Sequence, residues 1–119
     1  MNVITPLVQF QQQMRIFHWQ TDSFAKHKAF GKIYETLNGL VDEFVETYMG
    51  IYGKSKPVST FNFTLLPLEN EGVVSEVLED FIDYLKEMSF EIENDSDLLN
   101  IRDSILAEVN KLKYLLTLS

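Results

Sequence analysis

Apolar residues recur along this chain in alternating steps of four and three. Val3, Leu7, Phe10, Met14 and Phe17 form the first series. Such steps return to one face of a helix with about 3.6 residues per turn. The spacing predicts a helix A over about residues 5–20, with Thr5 as N-cap and Pro6 at the first helical position, where the missing N–H is harmless. Thr21, Asp22 and Ser23 break the pattern, and Asp22 or Ser23 can cap the second helix. Helix B is expected over about 24–49, with the stripe Phe30, Tyr34, Leu37, Val41, Phe44 and Tyr48, and with Gly50 and Gly53 ending it. Residues 51–70 have no helical period and contain Pro57 and Pro67, so they read as a long connection with a short extended piece at Phe61 to Leu66. Helix C is expected over about 72–92, carrying Val74, Leu78, Phe81, Leu85, Met88 and Ile92. A tight turn, Glu93 to Ser96, supplies Asp95 or Ser96 as cap for helix D, about 97–118, with Leu98, Ile101, Ile105, Val109, Leu112 and Leu116.

Four narrow stripes near a spacing of 3.5 predict an all-α fold, a left-handed four-helix bundle, with residues 1–119 as one domain. Short turns make A–B and C–D antiparallel hairpins. Helix B is ~36 Å long, whereas some twenty extended residues reach ~66 Å. The B–C connection can therefore run back along the bundle and leave B and C parallel. One long crossover in the middle is the ferritin-like arrangement.

Composition narrows the chemistry. The chain has 119 residues, 45% of them hydrophobic, which suits one domain with one core. The absence of cysteine excludes disulfides and thiolate metal sites. The net charge of −8, with no basic run or basic tail, argues against DNA as a partner. No apolar stretch approaches a membrane span of ~20 residues, and the start of the chain does not read as a signal peptide. The expected location is intracellular: the cytoplasm, or the host cytoplasm for a viral chain. An acidic surface can gather cations, although solubility is its commoner use.

The chemistry-bearing residues concentrate between His18 and Glu46. This stretch holds both histidines, the single tryptophan, Trp19, and an Asp-x-x-x-Glu pair, Asp42 and Glu46. Histidine and carboxylate ligate iron, manganese and zinc. On a helical wheel with His27 at zero, Asp42 falls at about 60° and Glu46 at about 100°, beside a core stripe centred near −60°. Gly31 and Asn38 share that flank, and small Gly31 would let another helix approach. Along the axis, however, His27 and Asp42 are ~22 Å apart. The A–B turn brings His18 to His27, so one chain offers a histidine pair at one end and a carboxylate pair at the other. Two B helices packed antiparallel about a twofold axis would join His18 and His27 of one copy to Asp42 and Glu46 of the other, twice per dimer.

The pattern His27, Phe30, Tyr34, Leu37, Asp42, Glu46, with the His18-Trp19 pair before it, resembles the helix A–helix B core of the mini-ferritins, the Dps-like (DNA protection during starvation) branch of the ferritin-like proteins. The resemblance covers roughly residues 14–50. It implies a ferroxidase centre between twofold-related subunits, with His18, His27, Asp42 and Glu46 as both metal ligands and catalytic residues and Trp19 beside them. The link between the histidines is shorter than in the family and lacks its glycine, and the small helix of the family's crossover is not identifiable. The stretch HWQTDSFAKHKAFGKIYE and the ending KLKYLLTL also resemble a small Dps-like group found in phages and other viruses.

Two functions are open to such a chain. In the first, ferrous iron binds between subunits and is oxidised to ferric iron by peroxide or oxygen, with zinc and manganese as alternative metals. The partner is then a second copy, in a twofold dimer or a larger shell. In the second, the chain is a non-catalytic ferritin-like helical oligomer, a structural or protein-binding module. Taken singly, the histidines read as caps or surface residues, and Asp42 with Glu46 as a solvated face. Glu35, Asp103 and Glu108 read as solvated, Tyr114 as a bundle-edge residue, and Trp19 as an interface or core aromatic.

Overall fold

The computed structural model describes residues 2–54 and 61–118, so the expected break at Pro57 lies outside the described residues. Its helices are α1 (Ile4–Gln20), α2 (Phe24–Tyr52), α3 (Glu71–Glu87) and α4 (Ser96–Leu115), with a 3₁₀ turn at Met88–Phe90. These are the expected helices A to D, and no strand occurs among the described residues.

The periodic stripes become the core. Val3, just before α1, and the stripe residues Leu7, Phe10, Met14 and Phe17 within it are buried, as are Phe30, Leu37, Val41 and Phe44 of α2. Val74, Leu78, Phe81, Leu85, Met88 and Ile92 are buried, and so are Leu98, Ile101, Ile105, Val109 and Leu112. Tyr34, Tyr48 and Leu116 are partly buried at its margin. Phe17, Phe30 and Phe44 are fully enclosed; each contributes about 1.5–3 kcal/mol by leaving water.

The helix ends depart from expectation for local reasons. Helix α1 starts before Thr5, because the Asn2 carboxamide oxygen accepts from the amides of Ile4 and Thr5. Pro6 still lies in the first turn, where N–H groups have no intrahelical partner. Ser23 is the cap of α2, accepting from the Lys26 amide at 3.3 Å. Helix α2 runs through Gly50 and stops at Gly53, whose φ of +81° suits glycine. Its extra turn is held by Tyr52, whose ring packs tilted against Tyr48 with centroids 4.8 Å apart and whose hydroxyl donates to the Asp95 carboxylate. Asp95 therefore stands at the α4 N-cap without capping it. Helix α3 tightens into a 3₁₀ turn after Glu87, where Arg102 donates to the Leu85 carbonyl at 2.7 Å and to the Ser89 hydroxyl.

Side-chain contacts give the direction of each helix. His18 meets His27, and Gln11 donates to Asn38, so α1 and α2 are antiparallel. Lys26 at the start of α2 pairs with Glu71 at the start of α3, and Tyr52 at the end of α2 reaches Asp95 beyond the end of α3. Helices α2 and α3 are thus parallel. Arg102 and Lys113 of α4 meet Ser89 and Glu79 in the reverse order, so α3 and α4 are antiparallel. Packing runs α1 to α2 to α4 to α3 and back to α1, a ring around one core.

Parallel α2 and α3 require the crossover to return the chain along α1. Gln9 accepts from the Thr64 amide at 2.9 Å, and Gln20 accepts from the Leu68 amide at 2.7 Å. Between them, buried Gln13 accepts from the Leu66 amide at 2.7 Å and donates to its carbonyl at 2.9 Å. The helical period gives no sign of these three glutamines' role, since none belongs to an apolar stripe.

Candidate metal centre

The turn Thr21–Ser23 sets the geometry of the histidines. The Thr21 amide closes α1 on the Phe17 carbonyl at 3.0 Å, and Ser23 opens α2. Their flanking turns are pressed together, and His18 and His27 stack with ring centroids 3.8 Å apart and planes inclined by 16°.

Each ring bonds the backbone of the other residue. His18 Nδ1 lies 2.6 Å from the His27 carbonyl oxygen, and His27 Nδ1 lies 2.7 Å from the His18 carbonyl oxygen. A carbonyl only accepts, so both Nδ1 atoms carry the proton and donate. In a neutral ring Nε2 then holds the lone pair, which is the form that ligates a metal. The same bonds have a structural use. The His18 carbonyl lies in the last turn of α1, where carbonyls lack helical partners, and His27 supplies one.

Gly31 lets another helix, α1, approach α2 closely, as its small size suggested. A Cβ there would lie 2.8 Å from His18 Cε1 and 2.9 Å from His18 Nδ1. The space is filled by the His18 imidazole of α1 in the same chain. Asn38, on the same flank, accepts from the buried side chain of Gln11. This flank of α2 faces α1 over its first half.

Asp42 and Glu46 lie further along α2, both exposed. Neither has a side-chain hydrogen bond or ion pair among the described residues. Within one copy, no three histidine or carboxylate residues come together at a metal-sized site among the described residues. For the four candidate ligands this follows from the axial separation of His27 from Asp42 along α2.

Trp19 is 60% exposed and so is not a core aromatic. The Arg15 guanidinium sits 4.6 Å from its ring centroid and 5.3 Å from that of Tyr34, and donates to the Tyr34 hydroxyl at 3.2 Å. Glu35 and Tyr114 are exposed, as expected. Asp103 pairs with neighbouring Arg102 at 2.9 Å while remaining largely in solvent. Glu108 is half-buried, against the expectation of a solvated side chain.

The model of DUF5856, a family of unknown function, matches residues 18–116, from the first histidine to the end of α4. The chain belongs to DUF5856. It is 31% identical over 101 residues to an uncharacterized 14.6 kDa protein from the mobD–ri intergenic region of Enterobacteria phage T4. That alignment spans 85% of this chain and 74% of the phage T4 protein. No solved structure matches. The DUF5856 match takes in all four candidate ligands, the crossover and three whole helices, and of α1 only its last turn. No helix among the described residues is long and apolar enough to cross a membrane.

Proposed function

We propose that this DUF5856 chain is a ferritin-like, Dps-like metal-binding protein that takes ferrous iron between two copies and oxidises it. The reciprocal Nδ1–H bonds of His18 and His27 carry the reading, because they hold both rings in the tautomer with Nε2 available. The exposed, unpaired carboxylates Asp42 and Glu46 supply the oxygen donors from the partner copy. A mixed imidazole and carboxylate set suits iron, with zinc and manganese as competitors. The helix directions and the single long crossover support the ferritin-like fold.

Iron is the substrate in this reading. Each ferrous ion gives up one electron. A peroxide accepts electrons from two such ions and, with two protons, leaves as two waters. The chain's residues bind and orient: His18 and His27 ligate from one copy, Asp42 and Glu46 from the other, and the backbone carbonyls fix the imidazoles. Host cytoplasm is the proposed setting, in keeping with the phage T4 relative.

Peroxide-driven ferrous oxidation, followed by ferric absorbance on wild type and Asp42→Ala, tests this directly. Fast oxidation that falls at least tenfold in Asp42→Ala is expected. Background rates in both chains would defeat the enzyme reading. The histidine bonds also support a second reading, in which the pair only clasps α1 to α2 and the bundle serves as a structural or protein-binding module. Zinc binding by wild type that is lost in His27→Ala separates a metal site from that clasp.

A further inference from the structure

The crossover leaves space beneath it. Among the described residues its hydrogen bonds to other elements all go to α1, through Gln9, Gln13 and Gln20, and none to α3. Between α1, α3 and the crossover lies a cavity of about 280 Å³. Leu66 lines it and stays 39% exposed, although Gln13 holds both of its backbone groups. The crossover therefore bridges this cavity and does not fill it.

The lining restricts what fits. Phe10 of α1 and Phe81 of α3 stack in its wall, with centroids 3.8 Å apart and planes inclined by 6°. Both are buried in the core, so this aromatic wall is preformed and suits a flat apolar body. A cavity of ~150 Å³ takes one benzene ring, so this one has room for two fused rings.

The polar groups add a sign. Asp80 and Tyr84 both line the cavity, and four residues apart on α3 their side chains are neighbours. The Asp80 carboxylate has no ion pair among the described residues. The Tyr84 hydroxyl is buried without a hydrogen-bond partner among them, a cost that a bound polar group relieves. Gln13 is already engaged by Leu66. No described lysine, arginine or histidine lines the cavity, and the chain carries a net charge of −8. An anion would enter against that field, whereas a cation enters with it.

We propose that this cavity binds a small aromatic amine in its protonated form. The ring body lies against Phe10 and Phe81 beneath the crossover, and the ammonium group donates to the Asp80 carboxylate and the Tyr84 oxygen. The site shares no residue with the candidate metal centre and stands independently of the iron reading.

The test titrates naphthylmethylammonium into the full isotope-labelled chain and follows the amide resonances. Saturable shifts are expected at Leu66, Val77 and Phe81, with α4 unmoved. Naphthalenesulfonate, the same ring body with a negative group, should bind at least tenfold more weakly. Asp80→Asn and Tyr84→Phe should each weaken the cation at least threefold, and Asp80→Asn should leave neutral naphthalenemethanol unchanged. Val77→Phe, which fills the cavity, should abolish binding with unchanged helical circular dichroism. If it lowers the helix signal, Thr64→Trp on the exposed crossover takes its place. The absence of saturable shifts would mean that water alone meets the Tyr84 hydroxyl, and would overturn the proposal. Equal binding of cation and anion, a cation indifferent to both changes on α3, or binding that survives the filled cavity would overturn it as well.

Discussion

His18 lies so close to Gly31 that a Cβ on the glycine would come within 2.8 Å of its ring. Gly31→Ala therefore sets two effects against each other. Alanine gains about 1 kcal/mol of helix propensity over glycine. The ring must then move, losing a hydrogen bond worth about 1 kcal/mol. Stability should change by less than about 1 kcal/mol, while the His18 Nδ1–H resonance loses its hydrogen-bonded shift. If the pair holds metal, zinc affinity should also fall at least tenfold. An unchanged His18 resonance would count against the packing described.

The two histidine bonds are independent, since each ring donates to a backbone carbonyl that survives replacement of the other side chain. His18→Ala and His27→Ala should each cost about 1–2 kcal/mol. Only the ring stack couples them, so the double-mutant cycle should give under about 1 kcal/mol of interaction. Urea unfolding of the four chains measures this, and a larger coupling would point to a shared ligand or proton.

Gln13 holds both polar groups of Leu66. Gln13→Leu leaves an N–H and a C=O partly buried without partners, at a cost of about 1–3 kcal/mol. Hydrogen exchange at the Leu66 amide should accelerate well ahead of exchange in the helices. Gln13→Glu keeps the acceptor but not the donor, and its effect should be intermediate. Equal exchange in all three chains would mean that the crossover is held by other contacts.

Two tyrosines govern the response to alkali. The Asp95 carboxylate that accepts the Tyr52 hydroxyl raises that group from 10.0 to about 12. Burial does the same to Tyr84, from 10.0 to about 12, with Glu91 adding to the effect. A folded-state pKa above the unfolded value favours the fold while the hydroxyls stay protonated. This contribution is complete below pH 10.0 and is lost as pH rises toward about 12. Tyrosinate absorbance should show a late-titrating fraction that shrinks in Tyr52→Phe. A single step at the ordinary tyrosine pKa would contradict both environments.

The core and the helix directions were readable from one dimension. Steps of three and four place Leu7, Leu37, Leu85 and Ile105 on faces that have nowhere to go but inward, and water exclusion acts on them without regard to detail. The length of the crossover then allowed α2 and α3 to be parallel, because some twenty extended residues outreach a helix, and the Lys26–Glu71 and Tyr52–Asp95 contacts show that they are. The separation of His27 from Asp42 likewise came from helical rise alone. Tertiary structure decided whatever depends on polar groups meeting across elements. Asn2 rather than Thr5 starts α1, Tyr52 carries α2 past Gly50, and Arg102 tightens the end of α3. Gly31 serves His18, and Gln9, Gln13 and Gln20 tie down a segment some fifty residues away. Hydrogen bonds are short and directional, so their partners depend on where a remote backbone arrives. Apolar burial needs only a periodic face, and that face is written in the sequence.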